Sequence, residues 1–415
     1  MQIIKNSMIY LGSSIINKLI PFLLLPILTA YLTPAEYGML SIYMIFITLY
    51  GAFVGMNMHI NVSKEFFRVS KEQLALYIGN MLIILSVSTL LYFLLTLLSV
   101  PFIDTLFGIP TSWFLLLPFI SMAMMIYNIN TSLLRNEAKA YTFGIFEISN
   151  SAVTMATTLL FLLVWAYGWY AQIIGIALSY TLFALIGIVY MYRHGYLLLQ
   201  FDATKIRSIL AISVPLIPHV LGSVIITMSD RIFIEQMVSL EAVGIYSVGY
   251  LFGMVVLLFT DAFMKAWSPW FFKNLVDPTT RQKQRIVHYT YIYIVGVFIL
   301  ALGISLIGNI ILPYVVDASF YGASEYIVWI ALGYAVHGIY KIFFPYLVHL
   351  SKTSFLALST MVAALLNLLF NYLLIDAFGA VGAAYATIIS FLVSALLVFW
   401  YQHKYMLMPW FGNAS

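Results

Sequence analysis

Long apolar windows, each broken by a short polar stretch, follow one another along almost the whole chain. A membrane-spanning helix needs about 20 mostly apolar residues. Cutting the windows at turn residues and charges predicts helices over 8–31, 38–60, 75–102, 112–134, 142–166 and 170–192 in the first half. The second half gives 209–236, 242–264, 286–315, 324–349, 354–376 and 379–402. The longest connections are expected at 193–208 and 265–285, and neither is large enough for an extramembrane domain. The predicted fold class is therefore all-α: a polytopic membrane protein with about twelve transmembrane helices in two six-helix lobes around a central cavity. The N-terminal lobe is expected over 1–198 and the C-terminal lobe over 199–415.

Composition agrees with a membrane protein. Of 415 residues, 63% are hydrophobic and 8% charged, whereas soluble domains carry about 25% charged residues. The first apolar run is expected to be a retained helix and not a signal peptide, because it holds Lys18 and two prolines and no small-residue cleavage site follows. The absence of cysteine excludes disulfides and thiolate metal sites.

Charge placement sets an orientation. Lys64, Arg68 and Lys71 follow the second predicted helix, and Arg135 and Lys139 follow the fourth. Arg193, Lys205 and Arg207 follow the sixth, and Lys265, Lys273, Arg281, Lys283 and Arg285 the eighth; Lys352 and Lys404 follow the tenth and twelfth. The alternate connections carry Glu36, Asp104, Glu235, Glu241, Asp317, Glu325 and Asp376, with no Lys or Arg. This is the positive-inside pattern, with both termini in the cytoplasm. Six helices per half return the chain to its starting side, so the halves read as a parallel repeat. Gly38 and Ser41 recur as Gly244 and Ser247 at an offset of 206, and Gly175 and Ala177 as Gly382 and Ala384 at 207.

A search for enzymatic chemistry finds no phosphate-binding glycine loop, no Asp-x-Asp pair and no metal-ligand spacing among the histidines. Ionisable residues inside predicted spans are more informative, because they cost free energy in lipid. Lys18 lies about 15 Å into the first helix at 1.5 Å per residue; it either faces a cavity or sits on a frayed helix start. Lys341 can line a cavity or snorkel. Asp230 and Arg231 are adjacent and point about 100° apart on a helix, so they need not pair with each other. Either they form a structural helix-end group, with Arg231 paired to Glu235, or Asp230 binds a coupling cation. Glu147 and Asp261 read as interfacial helix-end charges. Pro21 and Pro26 in the first helix, and Pro215 and Pro218 in the seventh, are static kinks or hinges at matching places in the two halves.

Three short motifs carry a resemblance. They are Leu32-Thr33-Pro34-Ala35-Glu36-Tyr37-Gly38, Ser229-Asp230-Arg231 and Ala242-Val243-Gly244-Ile245-Tyr246-Ser247. Their order, with the six-plus-six plan, resembles the polysaccharide-transporter branch of the multidrug/oligosaccharidyl-lipid/polysaccharide exporter superfamily. The likeness is closest to O-antigen and related lipid-linked oligosaccharide flippases. One departure is Tyr31-Leu32, where such proteins often carry a base. The resemblance implies alternating access in a bacterial inner membrane and a substrate of undecaprenyl pyrophosphate bearing a short oligosaccharide. Lys18, Arg231 and Lys341 are the candidates to meet the pyrophosphate and Asp230 the candidate for coupling. No cofactor is expected beyond a coupling ion, Na+ or H+. The expected partners are the lipid-linked substrate, the bilayer and polysaccharide polymerase or assembly proteins, with no nucleic acid. The rival readings are a multidrug/cation antiporter of the same superfamily and a membrane-embedded polymerase, the latter disfavoured by short external connections.

The cysteine-free chain makes the orientation directly measurable. Single cysteines at Asp104, Glu241, Asp317 or Asp376 should react with an impermeant thiol reagent in intact cells, and those at Lys71, Arg207 or Lys283 only after permeabilisation. Labelling of position 283 in intact cells would reject the twelve-helix topology.

Overall fold

The computed structural model describes residues 12, 17, 20–107, 109–275, 278–350 and 352–410. In chain order the helices are α1 (Ile20–Tyr31), α2 (Pro34–Gly55), α3 (His59–Glu65), α4 (Lys71–Phe107), α5 (Thr111–Phe114), α6 (Leu117–Asn136), α7 (Ala140–Leu163) and α8 (Tyr170–Arg193). Then come α9 (Ala203–Ser213), α10 (Leu216–Met237), α11 (Leu240–Gly253), α12 (Val255–Leu275) and α13 (Thr280–Val315). A 3-10 turn (Ala318–Ala323) leads into α14 (Ser324–His349), α15 (Thr353–Phe378) and α16 (Val381–Tyr405). Among the described residues eleven helical stretches are long and apolar enough to cross a membrane, and Ile20–Tyr31 is a shorter apolar helix. The protein is thus an all-helical, multi-pass membrane protein.

The distribution of side chains fits lipid as solvent. Large apolar residues such as Leu90, Leu98, Ile299, Leu306 and Ile310 are exposed on α4 and α13. Polar residues such as Asn61, Asn80, Asn130, Asp230, Asn367 and Asn371 are buried among the helices. At 37 and 36 residues, α4 and α13 are about 55 Å long, well beyond a hydrocarbon core of about 30 Å.

The chain forms two compact units. One comprises residues 1–32 and 42–221, the other 33–41 and 222–415. In the first, the segment expected as a loop at 193–208 is tied onto α4. Leu198 N–H donates to the Ala75 carbonyl at 3.1 Å, and Asn80 bonds Gln200 O and Asp202 N–H, each at 2.9 Å. Gly79 leaves room for this crossing, since a Cβ there would collide with the Leu198 carbonyl. Asp202 then caps α9 by accepting from Thr204 N–H and Lys205 N–H. The predicted seventh helix is consequently two helices. Pro215 falls in the turn between them, and Pro218 sits in the first turn of α10, where its missing N–H is no loss. Both are exposed, as are Pro21 and Pro26 in α1.

In the second unit the expected loop at 265–285 is mostly helix. α12 runs through Lys265 and Lys273 to Leu275 because Trp267, Phe271 and Leu275 bury themselves beside Ile286, Phe343 and Tyr346.

The start of α2 packs in this same unit against the start of α11, and the contact is reciprocal. A Cβ on Gly38 would overlap the Leu240 carbonyl, and one on Gly244 would overlap the Pro34 carbonyl. Pro34 and Leu240 stand at the same offset of 206 as the two glycines. Both helix starts are capped alike. Thr33 and Glu36 form a reciprocal pair, with Glu36 N–H donating to Thr33 Oγ1 at 3.2 Å and Thr33 N–H to Glu36 Oε2 at 2.9 Å. Ser239 accepts from Ala242 N–H at 3.1 Å. The repeat extends to Gly175, which α8 packs against Thr154 and Thr158 of α7, and to Gly382, which meets Leu374 of α15.

Gly38→Ala and Gly244→Ala should each destabilise the purified protein by about 1–3 kcal/mol, the usual cost of overpacking. Gly222→Ala is the control, since the nearest atom to its added Cβ would be 3.9 Å away; thermal unfolding in detergent should separate the first two from the third.

Candidate functional site

α10 carries three consecutive polar residues, Ser229-Asp230-Arg231, into the second unit. Asp230 is 1% exposed. Its carboxylate accepts from the Tyr246 hydroxyl at 2.7 Å, from the Arg231 backbone N–H at 2.8 Å and from Arg231 Nη1 at 3.1 Å. The guanidinium donates through Nε to Ser247 Oγ at 3.2 Å and through Nη1 to the Thr227 carbonyl at 3.2 Å. It also lies over the Tyr250 ring, 4.3 Å from the centroid. Tyr250 in turn pairs hydroxyl to hydroxyl with Tyr334 of α14. Tyr246, Ser247 and Tyr250 fall within one turn of α11, so one face of that helix receives the whole pair.

Adjacency on a helix leaves open whether Asp230 and Arg231 pair; they do, although adjacent helical residues diverge at Cβ. The long arginine stem closes the gap, and a buried ion without a counter-ion costs several kcal/mol. The expected Arg231–Glu235 pair is absent among the described ion pairs; the Glu235 carboxylate bonds Gln236 instead.

Ser229 faces α15. Its hydroxyl donates to Asn367 Oδ1 at 3.1 Å and accepts from Asn371 Nδ2 at 3.3 Å, while Asn371 Nδ2 also reaches Asn367 Oδ1 at 3.1 Å. Both asparagines are fully buried. Asn367 Nδ2, Asn371 Oδ1 and Thr387 Oγ1 find no partner among the described residues. These asparagines were not singled out from sequence. Their signal was available in their i, i+4 spacing within an otherwise apolar span. A small cleft beside the network, with room for little more than a water molecule, is lined by Tyr246, Tyr250, Trp329, Tyr334, Thr387 and Phe391.

A second ion pair lies further along α14. Lys341 Nζ is 2.5 Å from Asp261 Oδ1, with the side chains 20% and 35% exposed. Asp261 is not at a helix end, because α12 continues from it to Leu275. Arg231 and Lys341 therefore both belong to the second unit, each with its own carboxylate. Lys18 lies outside the described residues.

The first unit holds a charged cluster just beyond the ends of α6 and α8. Glu137 accepts from Tyr190 at 2.7 Å, Tyr196 at 3.0 Å and Lys139 at 3.1 Å. Burial pushes the Glu137 carboxyl up, but the hydrogen bonds from Tyr190, Lys139 and Tyr196 together outweigh it and hold the pKa below the usual carboxylate range. The hydrogen bond to Tyr190 and the Glu137 charge hold Lys139 above its usual value, and burial pushes Tyr196 up to about 12. This cluster fastens a loop to α8.

Removing one charge of the buried pair should be costly. Asp230→Asn should lose about 3–5 kcal/mol of stability, because Arg231 stays buried without its counter-ion. The double variant Asp230→Leu/Arg231→Met should lose less in the same thermal unfolding assay. A double variant as unstable as the single one would show that pairing is not the cause.

Comparison with known proteins follows the same lines. A family model described as "Polysaccharide biosynthesis protein" matches residues 3–275. The "Lsg locus putative protein 1" of Haemophilus influenzae is 24% identical over 385 residues, covering 89% of this chain and 92% of that protein. Among solved structures, an inward-facing multidrug resistance MATE transporter of the MOP superfamily superposes with a TM-score of 0.71 at 14% identity, covering 94% of each chain. The inward closed lipid II flippase MurJ superposes with a TM-score of 0.69 at 16% identity, covering 96% of this chain and 87% of that one. At such identities the structural likeness establishes the fold, and the family match adds the rest: the chain belongs to the polysaccharide biosynthesis protein family, on a fold shared with membrane transporters and flippases.

Proposed function

We propose that the protein is a flippase that moves an undecaprenyl-pyrophosphate-linked oligosaccharide, such as an O-antigen repeat unit, from the cytoplasmic to the periplasmic leaflet of the bacterial inner membrane. The observation that carries this reading is the conjunction of a polysaccharide biosynthesis family match with the fold of a lipid II flippase. Physical chemistry supports it. A pyrophosphate leaving water needs cations, and Lys18 and Lys341, with Arg231 as a further partner, are the candidates within the spans. The lipid tail can remain in the bilayer while the head group crosses by alternating access. Flipping against a gradient needs energy, and no nucleotide motif is present in the sequence. Coupling to Na+ or H+ is the natural source, with Asp230 as its carboxylate. A multidrug antiporter is the second reading, favoured by the MATE likeness.

Deletion of the gene should cause a lipid-linked glycan to accumulate on the cytoplasmic side, and wild-type protein should clear it. Complementation with Lys18→Arg should restore partial export, whereas Lys18→Gln should lose most of it at equal membrane abundance. Unchanged glycan pools, with altered sensitivity to cationic drugs, would favour the antiporter. Normal export by a stably expressed Lys18→Gln variant would return Lys18 to the class of snorkelling residues.

A further inference from the structure

α14 places Tyr334, His337 and Lys341 at i, i+3 and i+7, on one face. His337 stands at mid-helix, so its depth matches the middle of a spanning segment. Its ring stacks on Phe391 of α16, with centroids 4.5 Å apart, and on Tyr340 at 5.9 Å; the Tyr334 ring meets it edge-on at 6.3 Å. These contacts fix the ring but satisfy no hydrogen bond. Nδ1 is buried and finds no partner among the described residues, an arrangement that is rare without a purpose. One turn further along lies the part-exposed Lys341–Asp261 pair.

The ionisable groups around His337 can be named helix by helix. α12 presents Asp261, and α13 presents Tyr293, whose hydroxyl donates to the Gly338 carbonyl at 3.3 Å. α11 presents Tyr250 through its bond to Tyr334. α14 itself adds Tyr334, Tyr340 and Lys341, while the stacking partner from α16 is the apolar Phe391. Asp261 and Lys341 are the formal charges that act on the ring.

We propose that His337, Asp261 and Lys341 form an oxyanion-binding site opened by a proton. With the imidazole neutral, Asp261 pairs with Lys341 and the three groups sum to zero charge. A hydronium ion from water at the part-exposed end gives its proton to the Nδ1 lone pair. Imidazolium and water result, and no other covalent bond changes. Asp261 then turns to the imidazolium, the Lys341 ammonium is released, and the site carries one net positive charge for an anion to neutralise. Proton and anion therefore bind with positive linkage. That the natural anion is a lipid-linked pyrophosphate rests on the flippase reading above; the proton gate itself does not.

Sulfate is a suitable probe, because it does not titrate over the range from about pH 8 to pH 5 in which histidine changes charge. Calorimetric titration of the detergent-purified full chain should show affinity rising as pH falls, by up to about tenfold per pH unit for one linked proton. His337→Phe keeps the stack on Phe391 but takes no proton, and should bind sulfate weakly with no pH dependence; His337→Gln serves if the phenylalanine variant misfolds. Asp261→Asn should bind tightly at every pH, and Lys341→Gln not at all. Surviving pH dependence in the His337 variants, or Asp261→Asn binding no better than wild type, would overturn the proposal. Failure of the wild type to bind sulfate at any pH would also overturn it while leaving the flippase reading intact, since glycan accumulation judges that one.

Discussion

Placing an aspartate and an arginine in a lipid-embedded helix costs free energy that only partners inside the protein can offset. In this chain the offset organises the second unit. From three consecutive residues of α10, Ser229 reaches Asn367 and Asn371 on α15, while Asp230 reaches Tyr246 on α11. Arg231 reaches Ser247 and covers Tyr250 on the same helix, and Tyr250 passes the connection to Tyr334 on α14. Four helices are thereby held in one register by directional bonds. Apolar packing alone would specify that register less sharply, because lipid tails are as apolar as the helices and supply no hydrophobic drive between them. The tripeptide that looks like a family signature is thus, physically, the knot of a polar network.

The same reasoning explains the glycine motifs. Where two helices have no hydrophobic drive to associate, close backbone approach gains dispersion and needs small residues. Gly38 and Gly244 supply it at the crossing of α2 and α11, each against the backbone carbonyl one turn before the other glycine. Because the contact is reciprocal, one substitution pattern in each half of the chain solves the same packing problem. That is what an internal duplication preserves most easily.

Much of this was legible in the sequence because a bilayer leaves few options. Twenty-residue apolar windows and alternating charge gave the helices, and the offset of 206 linked the two glycines before their contact was known. Boundaries were less legible where helices leave the apolar layer. α9 and the end of α12 carry Lys205, Arg207, Lys265 and Lys273, so hydropathy marks them as loops although tertiary packing makes them helical. The partners of the charges were not legible at all. Adjacency left an Asp230–Arg231 pair open, and nothing in the spacing of residues 261 and 341 announces that they meet. Helical periodicity describes one helix at a time, whereas these bonds depend on how α10, α11, α12 and α14 lie against one another.

The two ion pairs differ in a way that bears on what each can do. Asp230 and Arg231 are 1% and 11% exposed and share five hydrogen bonds with their surroundings and each other. Opening that pair would strand several donors at once, so it favours a fixed role or one tied to a large rearrangement. Lys341 and Asp261 are 20% and 35% exposed, and a buried imidazole nitrogen with no hydrogen-bond partner among the described residues lies one turn away from Lys341. In the site proposed above, the carboxylate changes partner here, and water and the histidine take up what the lysine gives up. A transporter needs both kinds of charge. The sealed pair holds its helices in one register through directional bonds, and in the proton-gated site proposed above the exchangeable pair leaves a cation for an incoming anion.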